Sequence, residues 1–153
     1  MKLLITGSRK CVDSDYEYFE DFLNDLIIDN DLEITEMIHG RAKGADQFAD
    51  RYARVRMIPT DVYKPNYDKY GSNAPLVRNV EMVDLCDICV AIYKQRKTSG
   101  TLYTATKAKG KINWRINFSM KKSGITLKNT PKLRCSTNYK YFVSFKLSIL
   151  TVM

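Results

Sequence analysis

Residues 34–53 read Ile-Thr-Glu-Met-Ile-His-Gly-Arg-Ala-Lys-Gly-Ala-Asp-Gln-Phe-Ala-Asp-Arg-Tyr-Ala, and the order of residue types within them sets the fold class. An apolar run, 34–39, gives way to a turn holding Gly40 and Gly44. Ala45, Phe48, Ala49, Tyr52 and Ala53 then recur at helical spacing and stop before Pro59. A strand that passes through a glycine turn into an amphipathic helix is half of a βαβ unit.

The rest of the chain repeats that order. Further apolar runs lie at 3–6, 61–64, 88–93 and 112–118. Between the first two runs, Ser14 and Glu17 have capping-box spacing, and Phe19, Phe22, Leu23, Leu26 and Ile27 form a helical stripe up to Asp29 and Asn30. A third helix begins at Pro75, with Leu76, Val80 and Val83 expected inside. A fourth follows Ser99-Gly100-Thr101 and carries Leu102, Ala105 and Ala108 before Gly110. Such alternation predicts an α/β domain over residues 1–118, a parallel five-stranded sheet with right-handed crossovers. The first and fourth runs are apolar almost throughout, as strands covered on both faces are. The fifth alternates Ile112, Trp114, Ile116 and Phe118 with polar residues, which predicts an edge strand.

At 153 residues and 44% hydrophobic content the chain builds one ordinary core, which excludes a disordered or collagenous class. No apolar run approaches the roughly 18–20 residues that span a bilayer, and the first glycine, Gly7, comes too early for a secretory signal, so the expected location is cytoplasmic. Cys11, Cys86, Cys89 and Cys135 are expected to be reduced thiols. The Cys86-Asp-Ile-Cys89 spacing reads as small buried hydrophobes, because it runs from a helix end into a buried strand. A single histidine, His39, excludes a multi-histidine metal site.

The net charge of +8 is unevenly placed. Residues 1–87 hold 11 basic and 17 acidic side chains, whereas residues 88–153 hold 14 basic and none acidic. Part of the excess, Lys94, Arg96 and Lys97, falls beside the loop after the fourth strand, where it would draw an anion inward. The rest falls largely in a basic extension, 119–153, where Tyr139, Tyr141, Val143, Phe145, Leu147 and Ile149 alternate as in a strand or hairpin. Its bases and aromatics suit either packing on the domain or a second subunit, or nucleic-acid binding by phosphate contact and stacking.

Ligands of open parallel sheets collect at the carboxyl ends of the strands. There the chain places Gly7-Ser8-Arg9, then His39 to Asp46, then Pro65-Asn66-Tyr67, then Thr98-Ser99-Gly100-Thr101. Small residues at a strand-to-helix turn let backbone N–H groups approach an anion, and Arg41 or Lys43 would neutralise phosphate. The same loop also reads as a plain turn in which Asp46 steadies the first helical turn. Neither a Gly-x-Gly-x-x-Gly fingerprint nor a P-loop is present.

Taken together, Gly7-Ser8-Arg9, His39-Gly40-x-Ala42-Lys43-Gly44-Ala45-Asp46, Arg78-Asn79 with Met82, and Ser99-Gly100-Thr101 resemble the YspA/YpsA-related branch of the SLOG superfamily over residues 1–118. These are Rossmann-like domains of bacteria and phages, related to cytokinin-activating phosphoribohydrolases and to the DNA-processing protein DprA. The resemblance implies a three-layer sandwich of strand order 3-2-1-4-5 and a nucleotide-derived ligand, such as a nucleoside phosphate or ADP-ribose-like molecule. No other cofactor is implied. Gly7, Ser8, Arg9, His39, Gly40, Lys43, Gly44, Asp46, Arg78, Asn79, Ser99, Gly100 and Thr101 would line its pocket, and related domains often pair through helices beside it.

Two residues depart from that pattern. Arg41 stands where a second glycine is common, and either closes part of the pocket or adds a phosphate contact. Thr104 replaces the catalytic glutamate of the phosphoribohydrolases. The leading expectation is therefore binding, sensing or sequestering of the ligand without catalysis. The alternatives are an N-glycosidic or phosphate-bond hydrolase using Asp46 or Asp84, and nucleic-acid binding through 119–153. For His39, a hydrogen bond to a neighbouring strand end competes with ligand contact.

Overall fold

A computed structural model describes residues 1–94 and 99–117, with the backbone alone for Ser99 and 113–117. Five parallel strands, β1 (Lys2–Gly7), β2 (Glu36–His39), β3 (Thr60–Val62), β4 (Ile88–Tyr93) and β5 (Ile112–Asn117), form one sheet in the order β3-β2-β1-β4-β5. The edge position expected for the fifth run is the one β5 occupies. β1 lies at the centre, with Leu4 opposite both Ile38 of β2 and Cys89 of β4.

Alternation along the strands feeds two apolar layers. Leu3, Ile5, Met37, Val90 and Ile92 face α1 (Tyr16–Asp29) and α2 (Ala45–Val55), where Phe19 packs 5.6 Å from Phe48 and 6.0 Å from Tyr52, centroid to centroid. Leu4, Ile38 and Cys89 face the other way, onto Met82, Val83 and Cys86 of α4 (Ala74–Leu85) and its C-cap, and onto Ala108 just beyond α5 (Ser99–Lys107). All five residues of the α2 stripe are buried.

The structure differs from the sequence reading at four places. The first helix is preceded by a 3₁₀ turn, Asp13–Asp15, in which Asp15 rather than Glu17 closes the cap by accepting the Val12 N–H at 2.9 Å. The long loop after β3 contains the one-turn helix α3 (Tyr67–Tyr70), capped by Asn66, whose Oδ1 accepts the Lys69 N–H at 3.0 Å. In α4 the buried face is Ala74, Arg78, Asn79, Met82 and Val83, and Leu76 is 38% exposed. In α5 and just past it, Thr101, Thr104, Ala105 and Ala108 turn inward while Leu102 is exposed. Both helices bury polar groups that bond to each other, so hydropathy alone misplaces Leu76 and Leu102, whereas Val83, Ala105 and Ala108 are buried as expected.

Burial pushes the Cys11 thiol up to about 12 and that of Cys86 up to about 11, which leaves both protonated at neutral pH. Among the described residues no helix is long and apolar enough to cross a membrane. The proposed extension 119–153, together with Arg96, Lys97, Thr98 and Phe118, lies outside the described residues.

Candidate functional site

The first loop is fixed by its neighbours. Ser8 donates its N–H to Ile92 O of β4 at 2.9 Å, its carbonyl accepts the Ala45 N–H at 3.2 Å, and its Oγ accepts the Lys10 N–H. A Cβ on Gly7 would fall 2.6 Å from Ala45 Cβ and 2.8 Å from Ile92 O. Gly44 has φ of 78°, and a Cβ there would meet Ser8 O at 2.3 Å. These two glycines thus seat the first loop against the start of α2. Ser8 is buried within that contact, whereas Arg9 and Lys43 are exposed at its rim.

The second loop folds back on its own helix. Asp46 Oδ2 accepts the N–H groups of Gly40 at 3.0 Å and Ala42 at 3.1 Å. His39 Nδ1 accepts the Arg41 N–H at 3.2 Å, which fixes the tautomer with the proton on Nε2. That Nε2 is fully buried without a hydrogen-bond partner, 3.9 Å from Asp50 Oδ1. Burial lowers the His39 pKa, with Asp46 and Asp50 acting in the opposite direction. His39 is the last residue of β2 and has no exposed surface, and its one side-chain hydrogen bond among the described residues runs to the backbone of its own turn. Arg41 adopts φ of 54°, a left-handed conformation natural to glycine.

α4 supplies the centre of the site. The Arg78 guanidinium, 7% exposed, donates from Nη1 to Gly40 O at 2.8 Å and Tyr63 O at 2.9 Å, and from Nε to Asn79 Oδ1 at 2.9 Å. Asn79 Nδ2 donates to Thr104 Oγ1 at 2.9 Å, and Thr104 donates to Gly100 O at 2.9 Å. One polar chain therefore joins the ends of β2 and β3 to the first turn of α5. A Cβ on Gly40 would fall 1.7 Å from Arg78 Nη1, so the missing side chain makes room for the guanidinium. Burial lowers the Arg78 pKa; Asp46 and Tyr67 counter this, and Arg9 lies near enough to add to it. Burial likewise raises the Asp46 pKa, against the Ala42 N–H and the Arg78 charge.

The residues singled out from sequence are thus gathered at one end of the sheet, in two groups. Gly7, Ser8, His39, Gly40, Gly44, Asp46, Arg78, Asn79 and Thr101 belong to the packed framework, while Arg9 and Lys43 are exposed at the rim and Gly100 is half-buried in the first turn of α5. Gly100 has no atom within 4 Å of a would-be Cβ, and the Ser99 side chain lies outside the described residues. Asp84 is exposed at the end of α4, and Asp87 accepts the Lys2 N–H at 2.8 Å beside the amino ends of β1 and β4. Neither faces the rim, so the Asp84 variant of the hydrolase reading loses its geometry.

Sequence reasoning missed Lys64, Lys69 and Tyr70. With Asn66, Arg78 and Glu81 they line a cleft of about 220 Å³ between the loop after β3 and α4. The readable signal was Asn66 as a helix cap, which would have placed Lys69 and Tyr70 on a fixed turn. A depression of about 250 Å³ between α1 and α2 is lined by Ile27, Ile28, Ile34 and Ile58, away from the loops. Its polar groups already satisfy one another, since Tyr52 and Arg56 both donate to Asn24 Oδ1.

Comparison with known proteins agrees with this architecture. The profile of the YspA, cpYpsA-related SLOG family matches residues 1–70. The chain is similar to the Gene 61 protein of Mycobacterium phage D29, with 31% identity over 126 residues, covering 78% of this chain and 98% of the phage protein. Among solved structures it is similar to DNA processing protein A (DprA) from Streptococcus pneumoniae, with a TM-score of 0.53 and 23% identity over 76% of this chain and 49% of that one. The chain spans about half the length of DprA, and the likeness is one of fold. By its sequence, its strand order and its near full-length phage relative, the chain belongs to the YspA, cpYpsA-related SLOG family.

Proposed function

We propose that this protein binds a phosphate-bearing, nucleotide-derived ligand at the carboxyl ends of β1, β2 and β4, in a bacterial cell or phage-infected host. The observation that carries this reading is Arg78. Its guanidinium is buried, its bonds run only to carbonyl and amide oxygens, and none of the ion pairs among the described residues includes it. A buried cation without a directly paired carboxylate is costly, and an anionic ligand supplies the missing partner. Arg9 and Lys43 at the rim, and the backbone N–H groups opening α5, suit the same anion.

Binding without hydrolysis is the reading we favour. Thr104 stands where the related phosphoribohydrolases carry a glutamate, and its hydroxyl bridges Asn79 and Gly100. Asp46 is buried and already accepts two backbone N–H groups. The test is thermal unfolding with nucleoside phosphates and ADP-ribose. A ligand-dependent rise in melting temperature that Arg9→Ala removes, with the ligand recovered unchanged by chromatography, supports the reading. No rise with any compound overturns it, and released base or phosphate favours the hydrolase.

A further inference from the structure

We infer that the cleft between the β3–α4 loop and α4 is a second anion subsite, so that the ligand is a nucleotide with at least two phosphate groups. This rests on the nucleotide reading above and adds the second charge. Lys64, Lys69 and Arg78 face the cleft with a single carboxylate, Glu81, among its lining residues. Neither lysine belongs to an ion pair among the described residues. Lys69 is held on a capped helical turn, since Asn66 accepts the Lys69 N–H through Oδ1 and the Tyr70 N–H through its carbonyl at 3.1 Å. It lies 5.0 Å from the centroid of the Tyr70 ring.

Size and position decide what the cleft takes. At about 220 Å³ it is smaller than the roughly 300–1,000 Å³ that encloses a whole ligand. One group of a longer molecule fits, with the remainder lying along the rim. Arg78 joins the two regions: it lines the cleft, it bonds Gly40 O in the second loop, and Arg9 of the first loop lies near it. Its Nη2 donates no hydrogen bond among the described residues, while Nη1 and Nε are engaged. A cation with one unused edge, between two exposed lysines and a rim arginine, is arranged to sit between two phosphates.

The experiment compares AMP, ADP and inorganic pyrophosphate on the full chain, by calorimetry and thermal unfolding, in wild type and in the double variant Lys64→Gln/Lys69→Gln, which removes the two charges and adds no carboxylate beside Arg78. Both lysines are exposed, so the variant folds as wild type does. ADP is expected to bind at least about tenfold more tightly than AMP in wild type, a difference of about 1.4 kcal/mol. In the double variant ADP falls to the level of AMP, AMP stays within about twofold, and stabilisation by pyrophosphate disappears. Equal affinity for ADP and AMP in wild type, or a full ADP preference in the double variant, overturns the subsite and leaves the nucleotide reading standing. Stabilisation by pyrophosphate alone, lost in the variant, keeps the anion subsite and refutes the nucleotide. No response to any of the three refutes both.

Discussion

His39 shows how a residue can stand at the head of a signature loop and act on stability. Its ring is buried and neutral, with Nδ1 bonded to the Arg41 N–H. Burial holds its folded pKa below the ordinary 6.5, so the unfolded chain takes up the proton more readily. The stability it contributes is complete above about pH 6.5 and is lost as pH falls through that value toward the lower folded one. His39→Asn retains an acceptor near the Nδ1 position and has no proton to gain. The wild-type advantage over this variant, measured by urea unfolding, is expected to shrink between about pH 7.5 and 5.5; a gap that is constant with pH would refute the assignment. Arg41, close by in the same turn, holds φ of 54° at a cost of about 1 kcal/mol, a strain that glycine at that place would not carry. Met57, at φ of 55°, occupies the same conformation just past α2, where the Ile58 N–H to Ala53 O bond of 2.9 Å closes a Schellman end.

At the scale of elements, α4 and α5 are joined by hydrogen bonds as well as by packing. Thr104→Val keeps the shape of the side chain and removes its hydroxyl, leaving Asn79 Nδ2 without its acceptor and Gly100 O without the hydroxyl donor it has beyond the helix ladder. A loss of about 1–3 kcal/mol is expected in denaturant unfolding, with Thr104→Ser recovering most of it; a valine variant as stable as wild type would show the chain of bonds to be incidental. These two helices also mark where sequence reading stops. β4 was legible to its ends because an unbroken apolar run has one reading, and α2 because its five small and aromatic residues all face the core. α4 misled because Arg78 and Asn79 count as polar, so Leu76 seemed the better inward residue. α5 was misread at Leu102, because Thr101 and Thr104 take the inward places and Thr104 finds its donor in Asn79, 25 residues away. The glycines of the loops were recognised, but what opposes a glycine cannot be read from sequence: Gly7 and Gly44 meet protein, and Gly40 meets an arginine 38 residues away. The cleft lysines went unnoticed because α3 was read as loop.

At the scale of the molecule, all charged and open features of the site lie at one end of the sheet, and the apolar depression between α1 and α2 lies apart from them. The whole-chain charge therefore describes no single surface. What the sheet order does establish is how late the site is completed. Arg78 bonds residues 38 and 15 positions away, and Asn79 reaches across 25. None of these bonds forms within a hairpin or a single helix, so β1, β2, β3 and α5 must all be in place before the arginine is enclosed. Contacts of long sequence separation form slowly because loop closure precedes their reward. In refolding followed by stopped flow, ligand-binding competence is expected to return no sooner than the slowest tertiary signal; earlier recovery would mean that a partly folded chain already holds the pocket. The consequence is that the site inherits the integrity of the whole sheet: a chain cut between β2 and α5 would lose the bonds that hold Arg78 and Asn79, and with them the pocket proposed above.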